Sequence, residues 1–127
     1  SPSSLEVTIM TSPLEATVQP EGDGARISLS GRVDRDGDQA LVAAYAVARE
    51  TGSGPITLDF TSVDYINSTG IALIVRLLAE ARRDHREVIA IGLSDHYREI
   101  FRITRLSDYM TIADPEPAAG QLEEAAR

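Results

Sequence analysis

A chain of 127 residues with 43% hydrophobic and 25% charged residues has the size of one domain built on one hydrophobic core. Its net charge of -8 disfavours nucleic acid, and no apolar run reaches the roughly 20 residues that cross a bilayer. Cys, Lys and Trp are absent, which removes disulfides, thiolate zinc sites, Schiff-base chemistry and the phosphate-binding lysine of a P-loop.

The first residues, "SPSSLEVTIM", lack the basic-then-apolar order of a signal peptide, so a cytoplasmic protein is expected, with residues 1–4 disordered. "LEVTIM" (5–10) and "LEATVQ" (14–19) read as short strands separated by Ser12-Pro13. "PEGDG" (20–24) is a turn, and "ARISLSGRV" (25–33) alternates as a strand ending near Gly31. In "DRDGDQALVAAYAVARE", Ala40, Leu41, Ala44, Val47 and Ala48 recur at helical spacing, with Asp34 or Asp36 as cap. "TGSGP" (51–55) breaks that helix, and "ITLDF" (56–60) is the next strand. A polar connection over 61–68 leads into the helix "STGIALIVRLLAEARRDHR", whose stripe is read as Ile71, Ile74, Val75, Leu78 and Arg82, widened by Ala72, Leu73 and Leu77. "EVIAIG" (87–92) is a strand. "SDHYREIFRITR" is a helix capped by Ser94, with Tyr97, Ile100, Phe101 and Thr104 on one face. "YMTIAD" (109–114) is a last strand, and residues 115–127 form a terminal helix or frayed tail. The seven Arg between 76 and 105 are expected mostly on solvated helix faces.

Strand and helix alternation after an initial run of strands predicts an α/β fold. The sheet should be mixed, with a largely parallel core and an antiparallel N-terminal edge. Loops leaving the C-terminal ends of parallel strands gather on one edge, where open α/β sheets bind ligands or partners. Val33, Asp34, Asp64, Asn67, Ser68, Thr69, Ser94 and Asp95 are expected there.

Ser68 is the focus of that edge. Its plainest role is as the N-cap of the helix that follows. A helix start also accommodates an anion, so a phosphate on Ser68 would be tolerated. A small Ser hydrolase using Ser68 and His96 is the enzymatic alternative, but "NSTG" is not a nucleophile elbow and His85 and His96 read as solvated. Asp34, Asp36 and Asp38 alternate without the Gly and Glu register of a calcium loop. No cofactor or metal is expected.

"LDFTSVDYINSTGIALIVRLLAEAR" resembles the STAS-domain family, and within it the anti-sigma factor antagonists. Family members carry an apolar strand, then Asp-Ser-Ser/Thr-Gly opening an apolar helix; here the frame is Ile66, Asn67, Ser68, Thr69, Gly70. "ISLSGRVDRDGDQAL" upstream and "IGLSDHYREIFRITRLSDYMTIAD" downstream extend the likeness over about residues 5–114. The resemblance implies a mixed sheet with four helices and a protein that acts by binding. It implies as partners an anti-sigma factor that is a serine kinase, and a PP2C-type phosphatase. By position it makes Ser68 the phosphate acceptor, with Thr69 second. Asp34, Asp64, Asn67, Ser68, Thr69, Gly70, Ser94 and Asp95 become the partner surface. Two departures stand out: Asn67 replaces the usual Asp, and Arg105 stands where many members have Gly. A scaffold-type STAS domain that self-associates without a phosphate switch is the alternative within the family.

Overall fold

The computed structural model describes residues 6–11 and 14–113. The chain forms β1 (Val7–Thr11), β2 (Leu14–Glu21), β3 (Gly24–Val33), α1 (Asp38–Ala48), β4 (Ile56–Ile66), α2 (Ser68–Arg83), β5 (Val88–Ile91), α3 (Asp95–Ile103) and β6 (Thr111–Ile112). Ser12-Pro13, the expected disordered start at residues 1–4 and the expected fourth helix or tail at 115–127 lie outside the described residues, as does Asp114 at the end of the expected last strand.

The six strands lie side by side in chain order. β1, β2 and β3 form an antiparallel meander, and β3 to β6 run parallel. This is the mixed sheet expected from the sequence. Right-handed crossovers that all step the same way across a sheet set their helices on one face. The other face is free to be polar, and the alternation along the strands agrees. Val18, Ile27, Leu58 and Ala90 stand in one register row and are all buried. The neighbouring row, Thr17, Ser28, Asp59 and Ile91, is partly exposed.

Two strands run further than their composition suggests. β3 continues past Gly31 to Val33, and β4 continues past Phe60 to Ile66, through residues expected to be a loop. β3 keeps this stretch extended by pairing with Ser62, Val63, Tyr65 and Ile66, while Thr61 and Asp64 have no partner in the β3 register. The register slips twice: between Ser28/Ser30, where β4 has one extra residue, and between Gly31/Arg32, where Asp64 is the extra one. Bulges of this kind bend a strand and re-aim its end.

The helices differ from expectation in rotation rather than position. α2 buries Gly70, Leu73, Ile74, Leu77, Leu78 and Ala81, while Val75 is 45% exposed and Arg82 is exposed. The stripe is turned towards Leu73 and Leu77, which the expected line had only at its border. In α3 only Phe101 is fully buried, edge-on to Phe60 with ring centroids 5.7 Å apart; Thr104 is exposed. α1 is not capped by Asp34 or Asp36. Asp34 instead caps a short 3-10 turn at Arg35–Gly37 that precedes it.

Among the seven arginines, Arg86 is buried. Its Nε donates to Gly54 O at 2.6 Å and its Nη1 to Arg49 O at 3.2 Å, tying the α1–β4 connection to the end of α2. That end is a left-handed cap: His85 has φ 58, its N–H donates to Arg82 O, and the Arg86 N–H donates to Ala81 O. No helix among the described residues is long and apolar enough to cross a membrane.

Candidate acceptor loop at the C-terminal edge of the sheet

The parallel strands β3, β4 and β5 end at Val33, Ile66 and Ile91, so Asp34, Asn67 and Ser94 all follow on the same edge of the sheet. The expected convergence is therefore realised. The three connections are also tied together. The Asn67 N–H donates to Val33 O at 3.2 Å, and the Ile66 N–H donates to the Tyr97 hydroxyl at 2.9 Å. At the end of β5, Gly92 has φ 76, and a Cβ there would stand 2.2 Å from Thr61 Oγ1. The β5–α3 connection thus packs directly on β4.

The helix start is built differently from the expectation. The N-cap of α2 is Asn67, not Ser68: Asn67 has extended backbone, and its Oδ1 accepts from the Gly70 N–H at 2.8 Å. Its carbonyl accepts the first helical bond, from Ile71 N–H at 2.9 Å. Ser68 is the first helical residue and is exposed, as is Thr69. "Asn-Ser-Thr" offers three cap-competent residues in a row, and tertiary contact decides among them. Gly70 lies so close under β3 that a Cβ on it would stand 2.0 Å from Val33 O. Asn67 is the residue left extended there, its own N–H bound to Val33 O, and its side chain takes the Gly70 amide. With no acidic residue in the first turn of α2, the positive end of the helix dipole is left without a compensating charge of its own.

The other expected residues divide by what they already hold. Asp34 is buried; its Oδ1 accepts from Asp36 N–H at 3.0 Å, and Arg32 Nη2 lies 3.4 Å from Oδ2. Its carboxylate shapes the turn. Asp64 is exposed on the bulge of β4 rather than in a loop. Ser94 caps α3, its Oγ accepting from the Tyr97 N–H at 3.3 Å, and Asp95 stands in solvent 3.5 Å from Arg98. Asp38 faces Arg76 at 3.1 Å, and no cluster of three or more metal-ligating side chains occurs among the described residues. His96 is exposed with its ring edge-on to Tyr97, centroids 5.0 Å apart, and no hydrogen bond joins it to Ser68.

Three residues of this edge escaped the sequence reading. Tyr65, three residues before Ser68, is 45% exposed, with the Arg32 guanidinium 5.9 Å from its ring centre. Tyr97 reaches across to β4. Exposed aromatic and arginine side chains are the types that anchor protein interfaces. An alternation that placed Tyr65 in a strand would have exposed it; reading 61–68 as a loop hid that signal.

A family model described as "Mlab, STAS domain" matches residues 16–112. The chain is 30% identical over 94 residues to the "Anti-sigma-B factor antagonist" of Listeria monocytogenes, covering 74% of this chain and 82% of that protein. Its fold is similar to an anti-sigma factor antagonist from Mycobacterium paratuberculosis (TM-score 0.64, 16% identity, 91% and 97% of the two chains). It is also similar to the Bacillus cell fate determinant SpoIIAA in its phosphorylated form (TM-score 0.57, 17% identity, 96% and 99% covered).

Proposed function

The chain belongs to the STAS-domain family, and from that premise we propose that it is an anti-sigma factor antagonist, a binding protein rather than an enzyme. Its partner is an anti-sigma factor with serine kinase activity. The contact is the edge of Asp64, Tyr65, Asn67, Ser68, Thr69, Ser94 and Asp95, and phosphorylation of Ser68 ends it. A PP2C-type phosphatase restores binding. The relatives' names support the antagonist role. The observation that carries the switch is the placement of Ser68: exposed at the first position of α2, with Asn67 and not Ser68 spent on the cap. Its hydroxyl is free to take a phosphate without loss of the cap.

Asn67 bears on the switch in two opposing ways. Asn caps a helix as well as Asp does, so the geometry beside the acceptor survives the replacement. The charge does not survive. A carboxylate would repel an adjacent phosphate and would also be available to orient a kinase's substrate. The alternative reading, a scaffold-type STAS domain without a switch and open to self-association, is favoured by that missing charge. A small Ser hydrolase is disfavoured, since Ser68 and His96 share no hydrogen bond and a nucleophile needs its base within reach.

The test is a pull-down from the native cell with wild-type, Ser68→Ala and Ser68→Asp baits, followed by phosphosite mapping with the captured kinase. Wild type and Ser68→Ala should hold the partner, and Ser68→Asp should release it. Phosphate should appear on Ser68 and not on Thr69, faster in Asn67→Asp if the family's carboxylate positions the substrate. Equal capture by all three baits, with neither hydroxyl labelled, would leave the scaffold reading in its place.

A further inference from the structure

The segment that delivers Ser68 is held by two consecutive backbone amides that point to opposite sides. The Asn67 N–H reaches β3, donating to Val33 O at 3.2 Å. The Ile66 N–H faces the side on which β5 would continue the ladder, as neighbouring amides of an extended chain alternate. β5 cannot supply the partner, because its register with β4 covers only Ile56 to Asp59. A buried backbone donor at that point would stand unpaired, and such groups are rare in folded proteins. The Tyr97 hydroxyl accepts it at 2.9 Å. Tyr97 is itself seated by α3: Ser94 Oγ takes its N–H at 3.3 Å, and its ring lines a cleft of about 120 Å³ with Phe60, Val63, Ile66 and Leu93.

We propose that Tyr97 is the positioning residue of the acceptor loop. Its hydroxyl stands in for the missing strand neighbour of β4, and so it fixes where Asn67 caps α2 and where Ser68 points. Its consequence for phosphorylation rests on the reading of Ser68 as acceptor. Ser94 and Asp95 belong to the same end of α3, so a partner touching them acts on Ser68 through one hydrogen bond. Coupling between two sites needs a physical link that both can bias, and this is one.

Tyr97→Phe keeps the ring and removes only the hydroxyl. Two readouts decide the matter. In amide exchange, Ile66 should open about tenfold faster while Ile27 and Leu58 keep their protection, since a lost bond frees its own donor first. In phosphorylation by the cognate kinase, kcat for Ser68 should fall about three- to tenfold with KM within about twofold, because a misplaced acceptor reacts badly while binding is largely retained. Unchanged exchange at Ile66 overturns the proposal. Faster exchange with kcat and KM both unchanged overturns it too, leaving Tyr97 a purely structural residue. If the kinase binds the wild-type chain yet never labels Ser68, the phospho-switch reading is what fails. Release of the unlabelled complex then becomes the second readout: faster dissociation of Tyr97→Phe upholds the positioning role, and identical dissociation removes it.

Discussion

Exchanging the cap assignment between Asn67 and Ser68 gives the sharpest stability test. Asn67→Ala removes the acceptor of the Gly70 N–H, a bond of 2.8 Å at a half-buried position. Loss of an Asn cap to Ala costs about 0.5–2 kcal/mol, and the tie between Asn67 N–H and Val33 O argues for the upper half of that range, because a loosened cap also loosens this bond. Ser68 is exposed and is not the cap, so Ser68→Ala should stay within about 0.5 kcal/mol of wild type. Asn67→Asp keeps the cap geometry and adds a charge to an uncompensated helix start, a gain of about 0.3–1 kcal/mol at low salt. The expected order of stability is Asn67→Asp first, wild type and Ser68→Ala together, and Asn67→Ala last. Equilibrium urea denaturation followed at 222 nm measures it, with the slope of the transition checked for constancy. A Ser68→Ala loss equal to that of Asn67→Ala would return the cap to the hydroxyl and undo the argument that the hydroxyl is free.

Other variants probe the frame around the loop. Gly70→Ala should destabilise by about 1–3 kcal/mol despite the better helix former, because the atom met at 2.0 Å is a backbone oxygen that cannot turn aside; a neutral result would mean α2 sits further from β3. Ile74→Ala, at a fully buried site, should cost about 2–5 kcal/mol by chemical denaturation, against less than about 1 if the helix were turned. Arg105 has φ 67 in the left-handed region, so Arg105→Gly should raise stability by about 0.5–1 kcal/mol; a loss of that size would mean the Arg105–Asp108 pair at 2.9 Å outweighs the strain. Tyr45 hydrogen-bonds Asp84 at 2.7 Å, and burial, then Asp84, raise its phenol pKa. A raised folded pKa contributes stability below the unfolded value of about 10 that is lost as pH rises beyond it, so stability should decline above about pH 10, and less so in Tyr45→Phe.

Period and turn chemistry made much of this fold legible. Alternation in "ARISLSGRV" and the break at "TGSGP" located β3 and the end of α1, and the succession of elements gave the mixed sheet. The second half of β4 was not legible. Ser62 and Asp64 break the apolar run, and the stretch is held extended by β3 pairing with Ser62, Val63, Tyr65 and Ile66 across two register slips, a long-range pairing that leaves no local mark. The cap was half legible: the run Asn67-Ser68-Thr69 announces a helix start, but Asn67 itself is tied by its N–H to Val33 O, a contact between residues far apart in the chain. Arg105 shows the converse. The missing glycine is visible in the sequence, and the structure supplies the positive φ that makes its absence costly.

Spatial order identical to chain order has a kinetic consequence. Each strand docks beside the one made just before it, so no strand waits for a partner still to come. The β1–β2–β3 meander closes with short connections, and every later strand adds to the growing edge through a single helical crossover. Loop-closure entropy is thus met in small steps, which favours fast folding for a sheet protein. On the ribosome, the sheet can assemble from β1 towards β6 in the order of synthesis. The β4–α2 junction is completed late in that sequence, when α3 emerges and brings Tyr97 against the end of β4.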